Sequence, residues 1–379
     1  MRYLLYFTKQ YSVLLVLLSF SLCPIPAVAK LVIAQGGSSG YLMEHSLPSV
    51  ALAVAMDSDI IKIDTVLTAD NEVIVLGSPD IAKATNVAEI FPDRIRDDGK
   101  YYALDFTLDE IRELTLRDPA GRFPKELQPN LKIPTLEETL ALIVALDKSL
   151  EKNSRVAVEL KQAWLHRKEG KDLTKPVLTI LQKYGYTGQS DKTFLMSYDE
   201  EELKRIKKQL LPEMGMSIKL VQLIESNEGQ ETMVEEWGEW RSYNYDLMFF
   251  KSGLRSLSRT VAAIALPKYM LVDSEGKLLR NDFVKNAQQL GTMIFTFPVQ
   301  KDERMRLPFV HSFDEELEFF YFTVGVDGII TDFCRDALDF LKNRVEKPVV
   351  LIDTEQVIPP SMEITPEDPL QLTSPLTLD

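Results

Sequence analysis

The run Ile60-Ile61-Lys62-Ile63-Asp64 is short, apolar, β-branched and closed by a charged residue, the pattern of a brief buried strand. Working outward, one run of the same kind precedes it, at residues 31–34. Six more follow, at 156–160, 194–197, 219–223, 261–265, 293–297 and 328–331, with helical stretches between most of them. Eight such strands alternating with helices predict an α/β fold, a closed parallel (β/α)8 TIM barrel. A further run at 73–76 follows Thr68-Ala69-Asp70-Asn71 and reads as a hairpin partner of the second strand. Thr107 with Glu110, Thr135 with Glu138 and Ser312 with Glu315 have the spacing of capping boxes, so each pair marks a helix start.

The strand–helix rhythm lapses between Pro79 and Pro134, where the chain turns charged and turn-rich. This predicts an inserted lobe, about residues 80–133, on the face where the strands end. At the N-terminus Arg2 and Lys9 precede an apolar run at 11–22, then Pro24, Pro26 and Ala27-Val28-Ala29. That order is a secretory signal over residues 1–29, and its run is too short to span a bilayer, so a periplasmic or secreted protein without a transmembrane segment is expected. The barrel then occupies 30–346. Residues 347–379 are rich in Pro and acidic side chains and read as a flexible tail. Once Cys23 leaves with the signal, Cys334 has no intrachain disulfide partner.

A formal charge of −14 argues against nucleic acid or anionic lipid as a general partner. The chain has no phosphate-loop motif and no paired Cys-x-x-Cys. In a barrel of this type the reacting groups stand at strand C-termini, which here carry Gln35, Lys62, Asp64, Gly77, Glu159, Lys161 and Thr331-Asp332. Asp64, Glu159 and Lys161 form a polar cluster that reads either as a structural ion-pair network or as a catalytic set. The three histidines, His45, His166 and His311, lie away from the ends of the first two runs and are expected to be structural or solvated. Gly36-Gly37-Ser38-Ser39-Gly40 suits a flexible turn better than a phosphate-binding nest. Trp237-Gly238-Glu239-Trp240, with Tyr243 and Tyr245, suits a lid, a partner contact or packing onto the barrel.

The segment Val32-Ile33-Ala34-Gln35-Gly36-Gly37-Ser38-Ser39-Gly40-Tyr41-Leu42-Met43-Glu44-His45-Ser46 resembles the opening of the glycerophosphodiester phosphodiesterases, particularly the periplasmic type. Further matches follow in that family's order: Phe91-Pro92-Asp93-Arg94, Asp105-Phe106-Thr107-Leu108, Pro134-Thr135-Leu136-Glu137-Glu138, Val158-Glu159-Leu160-Lys161, Tyr184-Gly185-Tyr186, Leu220-Val221-Gln222-Leu223 and Ile330-Thr331-Asp332-Phe333. The resemblance implies two histidines for proton transfer and a divalent cation held by carboxylates. Here the first histidine and its following arginine fall on Gln35 and Gly36, and the second histidine and its aspartate on Gly77 and Ser78. Glu44 is kept. Of the other three metal carboxylates the first falls on Lys62, and the remaining two match Asp64 and Glu159, followed by the family lysine at Lys161.

Glutamine exchanges no proton near neutral pH and glycine has no side chain, so an acid–base contribution of about 10²–10⁴-fold should be missing. A divalent ion about 4 Å from the Lys62 ammonium meets roughly 8 kcal/mol of repulsion at an effective dielectric of about 20. The expectation is therefore no metal, with the Lys62 ammonium lying between Asp64 and Glu159. The function expected is a catalytically impaired pseudoenzyme that binds a glycerophosphodiester or another small anion through Lys62, Asp64, Glu159, Lys161 and Glu44. The alternatives are a weakly active phosphodiesterase using calcium or magnesium and releasing glycerol 3-phosphate, or a barrel serving as scaffold for a protein partner.

Overall fold

The computed structural model describes residues 29–118, 121–123, 130–188, 192–280 and 282–346. The signal expected at 1–29, but for Ala29, and the tail expected at 347–379 lie outside these residues. Eight parallel strands close into a barrel: β1 (Leu31–Ala34), β2 (Ile60–Leu67), β4 (Val156–Leu160), β5 (Thr193–Ser197), β6 (Lys219–Leu223), β9 (Ala263–Pro267), β10 (Met293–Phe297) and β11 (Gly328–Thr331). Each pairs with its neighbours in parallel, and β1 closes the ring by pairing with both β11 and β2. Because helices cover the outside and side chains fill the inside, nearly every strand residue is buried, which is why the strands read as runs rather than alternations. The sixth barrel strand begins two residues later than its apolar run, at Ala263 instead of Val261; Val261 ends the preceding turn by donating its N–H to Leu257.

β3 (Val73–Val75) folds back antiparallel on β2, pairing Thr65 with Val75. Beyond it, Ile81, Val87, Phe106, Ile111, Leu114, Leu116 and Ile133 bury themselves with Val66, Ile74 and Leu76 in a second small core. This core seats the segment between β3 and helix Leu136–Leu150 beside the open end of the barrel. Helices Leu108–Glu113 and Leu136–Leu150 both start at complete capping boxes, from Thr107 with Glu110 and Thr135 with Glu138. At helix Phe313–Glu318 the Ser312 hydroxyl accepts from Glu315, but the Glu315 carboxylate reaches one residue further back, to the N–H of His311. β7 (Met233–Glu236) and β8 (Glu239–Ser242) form a separate hairpin in the long connection after β6. Among the described residues no helix is long and apolar enough to cross a membrane.

Candidate functional site at the barrel mouth

Side chains two apart on a strand point the same way, and register then decides which neighbours they meet. Lys62 and Asp64 are two apart on β2, and Asp64 stands directly opposite Glu159 on β4. Lys161 follows Glu159 by two, with its N–H bonded to the Thr65 carbonyl. The four charged groups are therefore brought together at the end of the barrel by strand geometry alone. They lie on the floor of a cleft of about 770 Å³ whose walls include Gln35, His45, Arg122, Phe297 and Phe333.

The Lys62 ammonium bonds Asp64 Oδ1 and lies 2.6 Å from Glu159 Oε2. Lys161 Nζ is 2.8 Å from the other Glu159 oxygen and 3.1 Å from Glu231 Oε1, on the loop after β6. All four floor residues are at most 7 % exposed. Burial opposes charge on Lys62, but Asp64 and Glu159 outweigh it and raise the ammonium above its ordinary value. Lys161 is raised well above its own in the same way, against burial, by Glu159 and Glu231. Burial likewise opposes charge on Asp64, yet Lys62 and His45 hold it well below the usual carboxylate range. The floor is a row of alternating charges, each answered by its neighbour.

His45 is the site residue that sequence reasoning missed. It sits just before helix Leu47–Ala55, yet its backbone takes a left-handed φ of 61°, with its N–H bonded to the Gly36 carbonyl, and this turns the ring into the cleft. Its Nε2 is 3.2 Å from Asp64 Oδ2 and 3.7 Å from Glu44 Oε1. Burial pushes the imidazole down, and Asp64 and Glu44 push it further up, so its net shift is upward. An alternative set of ligand atoms therefore exists: Glu44, His45 and Asp64 each offer one within 4.8 Å of the others. The two Asp64 oxygens, however, already bond Lys62 and His45.

Gln35 donates to Glu44 Oε1 at 2.8 Å and to Asp64 Oδ2 at 3.4 Å, so it ties two carboxylates together. A Cβ placed on Gly77 would lie 3.5 Å from His45 Nε2, so position 77 faces the imidazole directly. The Gly36–Gly40 stretch is not a loose turn. It is mostly buried and pinned by bonds from Ser38 to Ser49 and from Gly40 to Asp332, and any Cβ on Gly37 would strike the backbone of Ser49 and Val50 at 2.6–2.7 Å. Asp332 accepts from Arg122 and Gln300, both at 2.9 Å, and burial raises its carboxyl.

The other histidines are elsewhere. His166 is fully buried, accepting the Leu67 N–H at Nε2 and donating from Nδ1 to the Gln162 carbonyl, and desolvation lowers it to about 4. His311 is exposed. Trp240 packs 5.4 Å from Trp164 on the β7–β8 hairpin, and Trp237 stands 97 % exposed at its turn.

Fold and cleft define a (β/α)8 barrel with a polar, charge-lined site at the C-terminal ends of its strands. The model of the glycerophosphoryl diester phosphodiesterase family matches residues 36–335, and the chain belongs to that family. It is 35 % identical over 331 residues to a glycerophosphodiester phosphodiesterase of Haemophilus influenzae, covering 83 % of this chain and 90 % of that one. A protein of the same name from Treponema pallidum is 32 % identical over 83 % of this chain and 92 % of its own. Among solved structures, an Oleispira antarctica phosphodiesterase in complex with the product sn-glycerol-3-phosphate superposes with a TM-score of 0.56 at 17 % identity, over 83 % of this chain and 97 % of that one.

Proposed function

We propose that this chain is an exported, catalytically impaired member of its family whose cleft binds a glycerophosphodiester or a related small phosphate without hydrolysing it at the family's rate. The observation that carries the reading is the Lys62 ammonium, bonded to Asp64 and to Glu159. A divalent cation seated on those carboxylates would have to displace a buried ammonium or share its space with it, so the residues present do not fit the metal that the family resemblance implies. Gln35 and Gly77, at the positions of the two family histidines, supply no group able to exchange a proton. The polar cleft and the Lys161 ammonium support retention of binding. The order of charged, apolar and small residues over 1–29 supports export.

One observation favours a second reading, a weakly active phosphodiesterase. His45 keeps an imidazole in the cleft against Asp64, a group able to carry a proton where Gly77 carries none. The relatives at 35 % and 32 % identity bear the name of enzymes.

One experiment separates them: residues 30–379 are purified and release of glycerol phosphate from several glycerophosphodiesters is measured with calcium, magnesium or chelator. No release above background supports the impaired reading. Metal-dependent release would overturn it and give Lys62 a mobile role.

A further inference from the structure

Lys161, on the floor of the cleft, is held by a second carboxylate that comes from far along the chain. Glu231 comes from the loop after β6, seventy positions beyond Lys161, and sets Oε1 3.1 Å from the Lys161 ammonium. Its other oxygen, Oε2, is buried with no hydrogen-bond partner among the described residues. An orphaned carboxylate oxygen in such a place is costly.

The loop that carries Glu231 is fixed from two directions. The Glu231 N–H donates to Glu225 Oε1 at 2.7 Å, and the Gln230 carbonyl accepts from Trp164 Nε1 at 3.0 Å. Gly229 makes this wrap feasible, since a Cβ there would lie 1.9–2.5 Å from the Glu225 carboxylate. Lys161 thus already holds two carboxylates, Glu159 on its own strand and Glu231 from the loop. Only the second sits on a segment free of the barrel's hydrogen-bond ladder.

We propose that Glu231 occupies the anion position of the cleft, standing on Lys161 where the phosphate of a ligand would stand, and that the loop from Glu225 to Thr232 is a strap that a phosphate-bearing ligand must displace. The proposal rests on the reading of the cleft as a phosphate-binding site. It makes Glu231 a specificity residue: it excludes weak single anions and admits only ligands whose remaining contacts offset the lost pair. Its carboxylate and the ligand phosphate compete for one ammonium, so removing the carboxylate charge frees the site.

The test is titration calorimetry on residues 30–379 with sn-glycerol 3-phosphate as probe, comparing wild type, Glu231→Gln, Glu231→Asp and Lys161→Gln. Glu231→Gln, nearly isosteric, is expected to tighten binding by about tenfold, the scale of one charge-assisted contact no longer in competition. Glu231→Asp should fall between it and wild type, because it retracts the charge by one methylene, and Lys161→Gln should abolish the gain. Unchanged or weaker binding in a folded Glu231→Gln variant overturns the proposal and leaves Glu231 a structural partner of Lys161. Failure of the parent reading looks different: no sample, Glu231→Gln included, would bind the probe even at millimolar concentration.

Discussion

Replacing Lys62 by methionine keeps the volume and removes the charge, and the structure fixes what should follow. At 2.6 Å and an effective dielectric of about 20, the attraction of Lys62 to Glu159 alone is roughly 6 kcal/mol before desolvation is charged against it. Breaking a buried pair from one side typically costs about 3–5 kcal/mol, because the abandoned charge stays buried. Here Lys161 remains on Glu159 and His45 on Asp64, so the lower end, about 3 kcal/mol at pH 7, is expected. The pH dependence carries the sharper test. Asp64 is held well below its ordinary value, so its stabilisation is present above the unfolded carboxylate value and is lost only as pH falls through the folded one. Without Lys62 the main cause of that depression is gone, and Asp64 protonates earlier, relieving the variant. Urea unfolding of both proteins from pH 7 to pH 4 should therefore show a deficit that shrinks on acidification. A deficit below about 1 kcal/mol at pH 7, or one that is constant with pH, would refute the idea that Lys62 neutralises this floor.

Three further outcomes are expected. Lys62→Glu gathers Glu44, Asp64, Glu159 and the new carboxylate, so millimolar calcium should raise its melting temperature while leaving wild type unmoved, as read by thermal scans with and without chelator. His166, lowered to about 4 by burial, contributes stability that is present above its unfolded value of about 6.5 and is lost as pH falls toward 4; His166→Gln should flatten that loss, worth about 3 kcal/mol, in acid unfolding curves. Glu225 is pushed up to about 7 by burial, so its contribution is complete below the ordinary glutamate value and is lost as pH rises toward 7. Glu225→Gln should remove that downward slope between pH 5 and 7.

The barrel was legible because a parallel strand covered on both faces must be apolar along its whole length, and eight such runs have few other ways to close. The floor of the site was legible for a related reason: Lys62 with Asp64, and Glu159 with Lys161, are two apart on strands, so period-two geometry aims each pair at one place. His45 was hidden because its direction depends on a left-handed residue and on a bond to Gly36, neither of which leaves a mark in composition. Glu231 was hidden by distance along the chain, since only a long loop returning over β4 brings it to Lys161. The Gly36–Gly40 stretch misled in the opposite sense. Glycines that suggest freedom serve there to let Ser49 and Glu44 approach a buried backbone.

Position 62 shows how a barrel constrains the ways its chemistry changes. Register aims the side chain at the same face as Asp64 and Glu159, two residues before that pair, so a charge long enough to reach them bears on whether two buried carboxylates can remain ionised side by side. A neutral residue would leave their mutual repulsion to be offset by Lys161 and His45 alone, and a third carboxylate would require an ion from solution. Lysine is the substitution that balances the pair from within the chain, with a flexible stem long enough to reach both oxygens. On the proposed reading, the same ammonium stands in for the dissolved metal and removes the metal's chemistry in one step. On that reading, conversion from catalyst to binding protein requires no loss of the fold and stabilises the mouth that it silences.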